Sequence, residues 1–148
     1  MRHFVIHSIS RYDRWKDFFS TILEHITAYK VFIPDHDLDS PEGPLTQGKS
    51  DFLSLPGISI ADWQGMADSI EISGPMTEQA RSVFLKFQQD AFDGFMPQLW
   101  SFQFQDEQGR VILRVEDFTV CLCWFPDEIM EILEKKGFFP SEMIEAAD

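Results

Sequence analysis

Apolar and polar positions alternate most regularly between Leu99 and Gly137, where LWSFQFQ, DEQG, RVILRVEDFTVCLCWF and PDEIMEILEKKG succeed one another. Trp100, Phe102 and Phe104 are separated by Ser101 and Gln103, the period of a strand that buries one face. Asp106-Glu107-Gln108-Gly109 supplies a turn, with Gly109 free to take positive φ. With those four residues as the loop, Gln105 faces Arg110, Phe104 faces Val111, Phe102 faces Leu113 and Trp100 faces Val115. The last three pairs are apolar, as a buried hairpin face requires. An even-length turn near Glu116-Asp117 then brings Val120, Leu122 and Trp124 to the same face and sends Cys121, Cys123 and Phe125 to the other. Glu-Asp is poor chemistry for a tight primed turn, which makes this corner the least determined. The third strand is apolar on both faces and belongs inside the sheet, whereas the first wets its glutamine face.

A helix closes this meander. Pro126 suits a first turn, Asp127 and Glu128 complement the positive end of the helix dipole, and Lys135 and Lys136 the negative end. Gly137 stops it, and Ile129, Ile132 and Leu133 form its buried stripe. Phe138, Phe139, Met143 and Ile144 are expected to fold back over the core as a short last turn.

Earlier in the chain, His3 to Ile9 alternates weakly, as a short strand does. Ser10 is placed as an N-cap with Asp13 three residues on, and Tyr12, Trp15, Phe18, Phe19, Ile22, Leu23 and Ile26 follow at helical spacing. The pattern predicts a helix over Arg11–Ile26, then a strand over Tyr29–Ile33 stopped by Pro34, an order that allows a parallel crossover. Residues 35–57 are irregular, rich in proline and glycine and opened by Asp35, Asp37, Asp39 and Glu42. Phe52, Leu53, Leu55 and Ile58 pin the far end of this loop, whose length points to function or disorder. Ile60–Ser69 gives no clear period beyond a helical turn around Trp63, and Ile70–Ser73 fits a short strand. Thr77 caps a helix with Ala80, Val83, Phe84, Phe87 and Ala91 as its stripe and Gly94 as its stop. The fold class is therefore α+β: a single domain over residues 1–148, its antiparallel sheet covered by about three helices.

At 44% hydrophobic and 14% aromatic residues, the composition excludes disorder for most of the chain. No apolar run approaches the ~20 residues of a membrane span, and the first residues lack the features of a signal peptide. The two cysteines, Cys121 and Cys123, lie two apart on one strand, a poor geometry for a disulfide and consistent with a reducing, cytoplasmic setting. Net charge changes the picture most. Residues 1–34 carry +2, leaving −15 on the remainder of a chain whose total is −13. Nucleic acid and anionic membrane are disfavoured by that balance, and a basic partner is favoured.

Candidate chemistry is sparse. Asp35, Asp37 and Asp39 have the one, three, five spacing of a calcium loop, but Ser40 and Thr46 stand where glycine and glutamate belong. His3 and His7, with His25 or His36, make no diagnostic metal spacing. Cys121 and Cys123 sit among apolar neighbours, where thiols behave as small hydrophobes. Adjacent carboxylates at Glu116-Asp117 point apart on a strand and make a polar corner. No glycine-rich phosphate loop, G-x-S-x-G, H-E-x-x-H or C-x-x-C occurs. No cofactor, metal or enzymatic activity is expected. The chain is expected to be a small acidic protein that neutralises a basic partner, in the character of an immunity protein against a cationic toxin domain. Asp35, Asp37, Asp39, Glu42 and Asp51 are its expected contact surface. An acidic mimic of DNA that occupies a nucleic-acid-binding protein, and a small enzyme with a scattered site, are the alternatives.

Overall fold

The computed structural model describes residues 1–88, 97–138 and 144–145. Among these, β1 (Arg2–Ile6), β2 (Ala28–Ile33), β3 (Ser59–Asp62), β4 (Ile70–Pro75), β5 (Ser101–Gln105), β6 (Val111–Glu116), β7 (Val120–Phe125) and the short β8 (Ile144–Glu145) form one sheet. Their order in space is β3-β4-β2-β5-β6-β7-β1-β8, and each neighbouring pair is antiparallel. Helices α1 (Trp15–Leu23), α2 (Lys49–Leu53), α3 (Glu78–Gln88) and α4 (Asp127–Lys135) complete an α+β fold. The meander β5-β6-β7 occupies the middle of the sheet, so β1 and β2 run parallel but lie on either side of it. The crossover expected from the strand, helix, strand order spans three intervening strands.

Aromatic side chains show which face the helices cover. Phe18 of α1 meets Phe125 of β7, and Phe19 meets Phe102 and Phe104 of β5. Phe84 of α3 packs on Tyr29, Phe102 and Phe104, and Phe52 of α2 packs on Tyr29. Ile129, Met130 and Leu133 of α4 join the same cluster. The four helices thus share one face, and the opposite face of the sheet carries none of them. Their signals are those the sequence carries: the Ala80 N–H donates to Thr77 Oγ1 at 3.1 Å, and Gly137 takes φ +81° after α4. The expected continuation of α3 through Ala91 to Gly94, and the positions of Phe139 and Met143, lie outside the described residues. Phe138 is buried, while Ile144 pairs with Val5 as a strand residue and does not form a turn.

Four expectations are corrected. The β5–β6 register is shifted by two: Phe104 faces Leu113 and Phe102 faces Val115, with Gln105 opposite Val111 and a bulge between. Asp106 causes this, because its carboxylate accepts the N–H groups of Gln108 and Arg110 and the Arg110 Nε–H, lengthening the turn through Arg110. Although burial pushes the Asp106 carboxyl up, those donors outweigh it and hold the group below its ordinary pKa. Second, Glu116 pairs directly with Val120, so the β6–β7 connection is three residues and odd. Cys121, Cys123 and Phe125 therefore face the core, and Val120, Leu122 and Trp124 face away. Third, Gln103 does not face water; it is buried, and its Oε1 accepts from Arg114 Nε and Nη2 at 3.2 and 2.7 Å. Fourth, Ser10 does not cap α1. The buried Ile9, whose N–H donates to the Thr119 carbonyl, instead starts a 3-10 turn over Ile9–Arg11, and α1 begins only at Trp15.

The cysteines are completely buried with their Sγ atoms 3.7 Å apart, and burial pushes the Cys121 thiol well up. Neither should react with a thiol reagent in the native state, and both should react in denaturant. Rapid labelling of the pair without denaturant would contradict their place in the core.

Candidate functional site

The acidic stretch after Pro34 is an ordered structure folded around an ammonium. Lys49, the first residue of α2, is only 1% exposed, and its Nζ donates to the Asp37 carbonyl, the Ser40 carbonyl and Ser40 Oγ at 3.1, 2.7 and 2.8 Å. The aspartates that have calcium-loop spacing thus belong to a turn whose inner oxygens point at Lys49. Local hydrogen bonds complete that turn: Asp35 accepts from the Asp37 N–H and from the Ser40 hydroxyl, and Asp37 accepts from the Asp39 N–H. The Ser40 hydroxyl, followed by the Asp37 N–H, holds the Asp35 carboxyl below its usual range.

The expected contact residues divide accordingly. Glu42 caps α2 by accepting the Ser50 N–H at 2.8 Å, and Asp51 pairs with Lys86 at 3.1 Å. Together with Asp35 they serve the fold. Asp37 and Asp39 stay exposed, as do Leu38 and Leu45, at 43% and 48%. The outward face of the loop therefore offers carboxylates beside apolar side chains.

This loop borders one cleft, and a second cleft shares a wall with the first. His36 lines the first, of about 460 Å³, together with Asp62, Trp63 and Asp68. Trp63 is also a wall of the second, about 290 Å³, which lies on the sheet face without helices and is lined by Phe32, Trp100, Ser101, Arg114, Glu116 and Asp117. Phe32 reaches that face by alternation, since Val31 and Ile33 of β2 fill the core. Trp63 follows β3, and its N–H donates to the Ser69 carbonyl at 2.9 Å to close the β3–β4 turn. Gly65 lets the chain pass the indole, because a Cβ there would lie 2.6 Å from Trp63 Cε2. The Phe32 and Trp63 rings are 4.6 Å apart, and Trp100 meets Trp63 edge-on at 5.8 Å.

The alternation pairs Trp100 with Val115 in the core; Trp100 instead precedes β5 and is held at the rim by the odd β6–β7 turn, and Val115 pairs with Phe102. Asp117 and Phe118 adopt φ +49° and +69°, a conformation that costs about 1–2 kcal/mol for each such residue. Directed hydrogen bonds sustain it. The Phe118 N–H donates to the Trp100 carbonyl at 2.8 Å, the Asp117 N–H to Ser101 Oγ at 3.2 Å, and Trp100 Nε1–H to Asp117 Oδ1 at 3.2 Å. The Arg114 guanidinium, bound to Gln103, lies 5.7 Å from the Phe32 ring centroid and 3.6 Å from Glu116. The sequence carries one signal of this corner, the unsuitability of Glu-Asp for an ordinary tight turn; Phe32, Trp63, Trp100 and Arg114 come from separate elements and share none.

The histidines are dispersed. His3 stacks on Trp124 at 4.9 Å and donates from Nδ1 to the Cys123 carbonyl, while His7 is exposed. Among the described residues no three His, Cys, Asp or Glu side chains are grouped to hold a metal, and no helix is long and apolar enough to cross a membrane. Among the described residues, Cys121 and Tyr29 have their pKa raised by burial; both lie in the core and line neither of these clefts. No family model, curated protein or solved structure matches this chain.

Proposed function

We propose that this chain is a small acidic binding protein that neutralises a basic protein partner, in the manner of an immunity protein facing a cationic toxin domain. The observation that carries the reading is the prefolding of the acidic loop about Lys49 with Asp37, Asp39, Leu38 and Leu45 outward. A surface ordered before encounter loses less conformational entropy on binding than a coil of the same composition. Carboxylates repel one another across such a turn, and an opposing Lys/Arg patch relieves that repulsion. The charge acts mainly on the rate of encounter, and desolvated apolar anchors hold the complex once formed.

The test begins with capture of the tightest partner and measurement of its association rate against ionic strength. The double variant Asp37→Lys, Asp39→Lys should lower the association rate constant by about tenfold or more at low salt, with a shallower salt dependence. An unchanged rate and slope with the true partner would overturn this assignment of the loop.

A further inference from the structure

We infer that the cleft bordered by Trp63, Trp100 and Asp117 is a seat for one arginine side chain of that basic partner. The inference rests on the partner's being basic, and it concerns a surface separate from the loop carboxylates. Three aromatic rings wall the cleft, with Phe32 and Trp63 at 4.6 Å and Trp63 and Trp100 at 5.8 Å and 74°. The rings touch one another, and the space of about 290 Å³ that they border is of side-chain size. A guanidinium over an indole gains from the ring quadrupole, and most when a carboxylate at the rim can hydrogen-bond its N–H groups.

The rim has that carboxylate. Asp117 is fixed against Trp100 by the indole hydrogen bond, at the expense of an aromatic residue, Phe118, in left-handed backbone. Glu116 beside it is paired with Arg114. The lining's own cation, Arg114, is engaged by Gln103 Oε1, lies over Phe32 and reaches Glu116 at 3.6 Å, so Asp117, held by the indole N–H, is the carboxylate left for an incoming guanidinium. Beyond Trp63, Asp62 and Asp68 line the adjoining cleft and extend the negative potential. Neutral planar groups would meet the rings but leave the Asp117 carboxylate without a cation, and anions would have to pass it.

The test needs no partner. The indole N–H signals of Trp63 and Trp100 are followed by NMR while the N-acetyl amides of arginine, citrulline and glutamate are added in turn. Trp15, whose indole N–H is buried against the Gln88 carbonyl, is the internal reference. Arginine should shift both cleft signals saturably, citrulline and glutamate should not, and Asp117→Asn should weaken the arginine effect by about three- to tenfold. Asparagine retains an acceptor for Trp100 Nε1–H, and an unmoved Trp15 signal would show the fold intact. Equal shifts by citrulline would mean a neutral slot, shifts by glutamate alone would mean an Arg114 anion site, and no shift would mean no seat; each overturns the inference. The loop reading is judged separately by the salt dependence of the Asp37, Asp39 variant, so either can fail without the other.

Discussion

Phe102→Ala should destabilise the protein by about 3–5 kcal/mol, and Leu113→Ala by about 2–5 kcal/mol. Both residues are completely buried. Phe102 lies at the centre of the sheet, cross-strand from Val31 and Val115, and its ring meets Phe19, Phe84 and Phe104 at 6.1, 5.3 and 5.3 Å. Truncation removes the contact through which α1 and α3 share one sheet position, and rings held by two helices collapse poorly into the cavity. Urea denaturation reads the loss as a lower midpoint with the slope retained, and an unchanged midpoint for either variant would contradict the face assignment. The register needs a different measurement, because a two-residue slip preserves the face. A double-mutant cycle should give coupling for Phe102 with Val115 that exceeds that for Phe102 with Leu113.

What the sequence discloses about this fold is what period and caps can carry. Phe102, Phe104, Leu113 and Val115 share a face because side chains alternate on a strand, whatever the loop does. Thr77, Gly109 and Gly137 act where their own chemistry puts them, with Gly109 at φ +77° in the β5–β6 turn. Loop parity is different. VCLCWF is apolar on both sides, so its pattern is equally content either way up, and only the three-residue connection decides that the cysteines go inside. That connection depends on hydrogen bonds from Asp117 and Phe118 to Ser101 and Trp100, partners 16 or more positions away that no local pattern encodes. The candidate site divides in the same way. Its charge was legible in Asp35, Asp37 and Asp39. Its order was not, because Lys49 reaches back 12 positions to the Asp37 carbonyl, and a buried lysine is an improbable reading of any single sequence. The cleft was hidden further, since the same Trp63 and Trp100 would serve equally well as core residues.

Lys49→Met should cost about 2–4 kcal/mol and release the acidic loop from its fold. Methionine keeps most of the apolar stem and removes the ammonium, so packing changes little while three acceptors lose their donor. Two of these are the Asp37 and Ser40 carbonyls, and the third is the hydroxyl that itself donates to Asp35. The loss also takes away a positive charge that favours the Asp35 carboxylate, leaving Asp35, Asp37 and Asp39 to repel one another. Buried acceptors without partners cost more than exposed ones, and the chain's cheapest response is to open residues 35–48 to water. Amide exchange at Asp37, Asp39 and Ser50, whose N–H groups are now held by carboxylates, should therefore rise sharply together with the fall in the denaturation midpoint. Unchanged exchange at these amides, with an unchanged midpoint, would show that Lys49 does not organise the loop. The variant also separates charge from order in the proposed function. Every loop carboxylate is still present in Lys49→Met, so an association rate near that of the parent with much faster dissociation would show that the carboxylates steer and the prefolded turn retains the partner.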